Sequence, residues 1–378
     1  MDYSLPRRLR SLADEVREFV DEATVDTGRF DDSWVMARSR EFDRRLAARG
    51  WLGMTWPREY GGGERSDLER FVVLETLLTA GAPVTGAWFP DRQIGPVLLQ
   101  YGTEAQKQRW LPEISRGESA WCIGMSEPDA GSDVAHISTT ARRDGDHYIV
   151  DGQKIWTSGA HEADWCYLIC RTDPDAPAHK GLSELIVDMD SPGIEVRPIR
   201  DATGGRHFNE VFFSEVSVPV ENLVGRPNHS FGQTMRQLEH ERGGIDRLIS
   251  NRRLHLDVNA VADSTDPLIR DEMAALETEY TIGRHMVLRN VTRQAPPGYS
   301  AVTKIFCTEH EQRVASFASR VLGPAALRGP DPVSLPGRVS LNTVFAPAYT
   351  IMGGTGLILR NIVGERVLGL PREPRPPR

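Results

Sequence analysis

Apolar residues recur three and four apart over most of the chain, and this pattern breaks once, in the middle. Leu5, Leu9, Leu12, Val16 and Phe19 share one helical face, while Arg, Asp and Glu fill the other. That spacing predicts a surface amphipathic helix. Phe42 and Leu46 mark a second helix, stopped near Gly50. Ser66-Asp67-Leu68-Glu69 reads as a capping box, with the helix behind it carrying Phe71, Leu74, Leu77 and Leu78 and ending at Gly81 and Pro83. Thr103-Glu104-Ala105-Gln106 is a second box, starting a helix toward Trp110. Near residue 121 the period shortens. CYLIC, ELIVDM, IEVRPI and EVFFSEVSV are β-rich runs separated by Pro, Gly and Asp. Asp144-Gly145 and Asp151-Gly152 read as turns around Tyr148-Ile149-Val150. After Pro219 helices return. Asp266-Pro267 is an N-cap with a proline at the first helical position, and Ile269, Met273, Leu276, Tyr280, Val287 and Val291 follow on one face. Ser300 opens another helix with Ile305, Val314, Phe317 and Val321, and the last helix holds Ile362, Val363 and Val367.

The predicted class is therefore α+β, in three stretches: a helical domain over 1–120, a small antiparallel sheet or barrel over 121–225, and a helical bundle over 226–378. At 378 residues the chain is long for one core. A formal net charge of -8 leaves no basic surplus for a nucleic-acid partner. Only four of the 45 basic residues are lysine, a bias that points to base composition of the gene rather than to function. Cys122, Cys166, Cys170 and Cys307 lack zinc-like spacing and read as buried thiols, so no metal is expected. MDYSLPRRLRSL has no continuous apolar core of a signal peptide, and no run approaches 18 apolar residues. The expectation is a reducing, cytoplasmic setting with no membrane span.

Two polar clusters carry the candidate chemistry. The first is Met125-Ser126-Glu127-Pro128 with Ala130-Gly131-Ser132-Asp133; the second is Lys154-Ile155-Trp156-Thr157-Ser158-Gly159. A Trp followed by two hydroxyls and a Gly can present one flat apolar face and one hydrogen-bond donor, which is what a flavin ring needs. A turn made by Pro128 and Gly131 exposes backbone N–H groups and Ser132, which suits a pyrophosphate or ribityl chain.

SEPDAGSD followed about two dozen residues later by KIWTSGA resembles the two flavin-contacting segments of the acyl-CoA dehydrogenase family. YGTEAQKQRWLPEISRGE and NIVGERVLGLPREP extend the resemblance over nearly the whole chain. The resemblance implies helices, a β-barrel-like domain and a helical bundle, with FAD as cofactor. It implies that Met125 and Ser126 lie by the pyrimidine side of the ring, that Ser132 approaches the pyrophosphate, that Trp156 walls the ring, that Ser158 donates toward N5, and that Thr355 stays near the cofactor. The implied reaction forms an α,β-double bond in an acyl-CoA, or an acyl carrier protein thioester, and passes electrons to an electron-transfer flavoprotein.

The family's chemistry needs a base for the α-proton, a hydride acceptor and hydrogen bonds to the thioester carbonyl. In most members the base is a Glu before a Gly-Thr pair near the C-terminus. Here that segment reads Ile351-Met352-Gly353-Gly354-Thr355-Gly356, and Gly353 has no side chain to take a proton. A minority branch carries the base in a Glu-Arg pair on the first helix after the β-domain. The matching pair is Glu241 and Arg242, so the resemblance implies Glu241 as base, with Arg242 and the Gly353 N–H on the substrate side. Read without the family, Glu241 is a helix-surface carboxylate.

A second departure concerns assembly. Members of the family complete the adenylate half of the FAD site with an Arg-x-x-Phe-Gly segment and a Gly-Gly-rich turn from a neighbouring subunit. This chain has no such Arg-x-x-Phe-Gly segment, and its later turn, VLGPAALRG, has Pro324 where a second Gly is common. HFNEVFF, His207 to Phe213, is similar to the branch that degrades steroid side chains as mixed oligomers. Homo-oligomer, hetero-oligomer with a homologous subunit, FAD-sharing subunit and same-fold flavin oxidase or monooxygenase all stay open at this point.

Overall fold

The computed structural model describes residues 5–372, apart from the side chains of Glu239, His240 and Glu241. It divides into two compact units.

One unit comprises Val35–Ser66 and Pro83–Gln237. Its eight strands are β1 (Trp121–Gly124), β2 (Thr140–Asp144), β3 (His147–Lys154), β4 (Trp165–Arg171), β5 (Leu182–Asp188), β6 (Ile194–Ile199), β7 (Phe208–Pro219) and β8 (Leu223–Val224). They form a single sheet in the order β6-β7-β3-β2-β4-β5-β8, with β1 also paired to β4. Of the two expectations, antiparallel sheet or barrel, the barrel is corrected here, and so is the purely antiparallel pairing. The path is open, with β6 and β8 at its ends, and β4 pairs in parallel with both β1 and β2. Each of these parallel pairings is reached by a long connection rather than a hairpin, which runs of β-rich letters do not reveal.

Asp144-Gly145 is a hairpin turn, as expected: Asp144 pairs with His147 and Gly145 has φ of 62°. Asp151-Gly152 is not. It lies inside β3, where the pairing with β7 shifts between Val150 and Gly152. A Cβ on Gly152 would fall 2.6 Å from the Thr139 hydroxyl, so Gly152 makes room for a bulge instead of ending a strand.

Cores lie on both faces of the sheet. On one, Trp110, Leu111 and Ile114 of the helix Glu104–Ser115 pack with Trp121, Tyr167, Ile169, Leu182 and Ile186. On the other, Cys122, Cys166 and Cys170 join Val150, Leu168, Leu185 and Val211. Strand β4 is apolar without alternation because it feeds both cores. The Thr103 box forms as read: its Oγ1 accepts from Gln106 N at 3.2 Å, and Gln106 Oε1 accepts from Thr103 N at 3.0 Å.

The second unit is helical and comprises the described parts of Met1–Trp34, Asp67–Ala82 and Leu238–Arg378. The helix Arg7–Ala23 buries Leu9, Val16 and Phe19, and Asp67–Thr79 buries Phe71, Leu77 and Leu78. Asp266 caps Pro267–Val291 by accepting from Leu268 N at 2.8 Å. Leu254, Val258, Leu276, Val314, Phe317 and Val339 make a core among this helix, Arg252–Val261, Tyr299–Leu322 and Leu335–Phe345. Among the described residues no helix is long and apolar enough to cross a membrane, and no cluster of potential metal ligands occurs. All four cysteines are free and buried.

Candidate active site

The two polar clusters meet in the sheet unit. Ile155 N donates to the Ser126 carbonyl at 2.9 Å, and Lys154 Nζ donates to the Met125 carbonyl at 3.1 Å. Lys154 also pairs with Glu127 at 2.8 Å, both side chains being buried. Glu127 further accepts from Ser138 N, Ser138 Oγ and Thr139 N at 2.5, 2.7 and 2.8 Å. Burial by itself would raise the Glu127 pKa; the Lys154 ammonium and these donors outweigh it and bring it down to about 2. Sequence reasoning quoted both residues inside the motifs yet gave them no role. The signal was there, since the Glu adjoins one proposed ring contact and the Lys lies two residues from another.

Between these anchors the loop presents Trp156. Its φ is +59°, a left-handed conformation rare for a bulky residue, and the residue is 53% exposed. Phe208 meets the indole edge-on, with centroids 5.8 Å apart. Met125, Ser126 and Ser158 are half-buried. A tight turn closed by reciprocal Glu127 and Ala130 backbone bonds at 3.0 and 3.1 Å carries Pro128, and exposed Gly131 and Ser132 follow it. Nothing lies within 4 Å of where a Gly131 side chain would be. The structure thus joins Met125, Ser126 and Trp156 through their neighbours and places Ser132 on the open turn after Glu127.

The helix Phe231–Arg242 is rooted in the sheet at its start. Buried Glu184 of β5 accepts from Thr234 Oγ1 at 2.7 Å, Gln233 Nε2 at 2.6 Å and the Tyr167 hydroxyl at 2.7 Å. Burial raises its pKa although these three donors oppose the shift. Glu241 lies on the last turn of this helix; its side chain is outside the described residues.

In the helical unit, Arg242 and Gly353 do come together. Arg242 Nε donates to the Gly353 carbonyl at 3.1 Å, and buried Lys304 donates to the Gly354 carbonyl at 2.8 Å. Gly353 and Gly354 have φ of 67° and 101°, so the turn is glycine-specific at both positions. Thr355 caps the helix Gly356–Ile362, accepting from Ile358 N at 3.4 Å. Lys304 had no sequence signal beyond its rarity.

Chemically, the sheet unit offers an exposed aromatic face flanked by hydroxyls and an open turn. The helical unit offers a left-handed glycine turn held by two cations. Three family models match the chain: acyl-CoA dehydrogenase N-terminal domain over 7–118, middle domain over 122–216 and C-terminal domain over 231–368. The acyl-CoA dehydrogenase IpdE1 of Mycobacterium tuberculosis is 37% identical over 342 residues, spanning 88% of each chain. The Tcur3481-Tcur3483 steroid ACAD structure is similar at a TM-score of 0.89 and 33% identity, covering 99% of this chain and 100% of that one. The ChsE4-ChsE5 complex of M. tuberculosis is similar at 0.85 and 30% identity, with 99% and 100% coverage. Matched from its first helix to its last, this chain belongs to the acyl-CoA dehydrogenase family, flavoprotein oxidoreductases of lipid metabolism.

Proposed function

We propose that the protein catalyses FAD-dependent α,β-dehydrogenation of an acyl-CoA, with Glu241 as the base. The observation that carries this reading is Trp156. A bulky indole held on a left-handed backbone and left half in water is costly to the fold alone. A planar ring stacked against it accounts for both features. The neighbouring groups fit FAD: hydroxyls at Ser126 and Ser158, backbone of Met125, and the open Gly131-Ser132 turn for the pyrophosphate.

When bound, FAD supplies the acceptor for the β-hydride. The chain's own residues do the rest. Glu241 takes the α-proton. The Gly353 N–H holds the thioester carbonyl, which stabilises the enolate-like charge. Arg242 holds the Gly353 carbonyl, in the peptide that follows this N–H, and so fixes the turn that carries it and adds positive charge beside it. At Gly353 the family's usual base position has no side chain, so the carboxylate must come from elsewhere, and Glu241 occupies the alternate position.

The similarity to the Tcur3481-Tcur3483 steroid ACAD supports a steroid-derived acyl group as the first class to screen, and the family supports an electron-transfer flavoprotein as acceptor. A second reading has its own support. The missing Arg-x-x-Phe-Gly segment and the similarity to the two-protein ChsE4-ChsE5 complex favour a hetero-oligomer in which a homologous subunit completes the FAD site. Flavin content of the chain purified alone and with a co-expressed homologue separates the two: about one FAD per chain alone supports self-sufficient sites, and colour only with the homologue supports sharing. Glu241→Gln tests the base: flavin binding is expected to persist while reduction by substrate is lost.

A further inference from the structure

We infer that Asn209, supported by His161, is a positioning residue that holds the Trp156-Thr157-Ser158 loop in the shape its cofactor face requires. The inference rests on the flavin reading of that loop, but the clamp itself is geometric.

Asn209 is fully buried at the start of β7 and turns its backbone carbonyl and its side-chain amide nitrogen to the loop. Its carbonyl accepts from Thr157 N at 3.0 Å, and its Nδ2 donates back to the Thr157 carbonyl at 2.9 Å. Both backbone groups of Thr157 therefore end on one residue. The second Nδ2 proton goes to the His207 carbonyl at 3.3 Å, and that same carbonyl accepts from Gly159 N at 2.8 Å. The two carbonyl partners identify the amide nitrogen, so the atom facing His161 Nδ1 at 3.1 Å is Oδ1, an acceptor, and Nδ1 carries the proton between them.

Backbone ties lie on either side of the strained residue, and Asn209 makes the downstream one. Upstream, Ile155 is tied to Ser126. Downstream, Thr157 is tied to Asn209, and Gly159 receives Arg38 Nη1 on its carbonyl at 3.1 Å. Trp156 lies between, and its only ring neighbour among the described contacts is Phe208, adjacent to Asn209 in sequence. A left-handed Trp relaxes unless its flanks are fixed. Asn209 and Phe208 thus set both the backbone and the tilt of the indole, and with them the direction of the Ser158 hydroxyl.

The test uses the purified chain, with a homologous subunit added if FAD uptake needs one. Its variants are Asn209→Leu, which removes the amide at similar volume, and His161→Ala, which removes only the outer support. Tryptophan is replaced biosynthetically by 5-fluorotryptophan, and the Trp156 signal is assigned by its loss in Trp156→Phe. In both variants the fluorine resonance of Trp156 is expected to shift or broaden while those of Trp110 and Trp121 stay in place. FAD affinity, followed by quenching of flavin fluorescence, is expected to fall about tenfold or more in Asn209→Leu and less in His161→Ala. Unmoved Trp156 resonances overturn the clamp. Moved resonances with unchanged FAD affinity overturn its role toward the cofactor. Should Asn209→Leu fail to fold, His161→Ala decides alone, since that side chain lies at the surface. A wild-type protein that takes up no FAD in any assembly sinks the flavin reading instead, and the fluorine spectra still decide whether Asn209 holds the loop.

Discussion

Lys154 Nζ lies 2.8 Å from Glu127 Oε1, with both side chains out of water. The pair joins the two segments that carry the proposed flavin contacts, one residue from Ser126 on one side and two from Trp156 on the other. Breaking one half leaves an uncompensated buried charge. Lys154→Met is expected to cost about 3–5 kcal/mol, read as a lower thermal midpoint, and to lower flavin content as well. A destabilisation under about 1 kcal/mol, within the range of an exposed pair, would show that the pair is not a staple.

The same pair sets an acid limit. The Glu127 pKa in the folded protein, about 2, is below its ordinary 4.5. The stability it contributes is present above 4.5 and is lost as pH falls through 2. Glu127→Gln is therefore expected to unfold at a midpoint less dependent on pH across that window, in acid titrations followed by circular dichroism.

A buried acid in the helical unit has the opposite sign. Asp32 accepts from the Tyr349 hydroxyl at 3.1 Å, and burial pushes its pKa up to about 7 against the opposing pull of its donors. Both states hold the proton below its ordinary 3.8; above that the unfolded chain loses it first, so stability falls as pH rises toward 7. Asp32→Asn is expected to flatten that decline, by roughly 2–4 kcal/mol between the two ends. An unchanged slope in denaturant titrations would assign the decline to other groups, such as Glu311, whose pKa burial also raises.

Trp156→Gly separates folding from function. Glycine adopts φ of +59° freely, so the variant is expected to hold its unfolding free energy within about 1 kcal/mol of wild type while FAD affinity falls at least tenfold. A large loss of stability would instead make Trp156 a structural residue.

Gly353→Glu puts a carboxylate where most of the family has its base. At φ of +67° it is expected to cost about 1–2 kcal/mol, and not to rescue Glu241→Gln. Recovered substrate reduction in the double variant would show that the turn accepts a base.

Much of the helical structure was legible because its determinants are local. Thr103 and Gln106 are three residues apart, and Asp266 with Pro267 announces a helix with no help from the rest of the chain. The Trp156 loop was legible as a motif. Its supports were not. Lys154 and Glu127 lie 27 residues apart, and Asn209 reaches Thr157 across 52. Nothing in a polar letter says that it will be buried, or against what. The mixed pairing of the sheet was missed for the same reason: the parallel pairing of β1 with β4 is a long-range fact. Gly152 was misread because a bulge and a turn ask the same freedom of glycine.

The most direct measurement is anaerobic stopped-flow absorbance of the flavin on mixing the holoenzyme with a steroid-derived acyl-CoA. Wild-type protein is expected to bleach, and Glu241→Gln to keep its flavin and bleach at least a hundredfold more slowly, the scale of losing a general base. Bleaching of the variant at the wild-type rate would contradict Glu241 as the base. No bleaching of FAD-loaded wild type by any acyl thioester would contradict the proposed reaction itself.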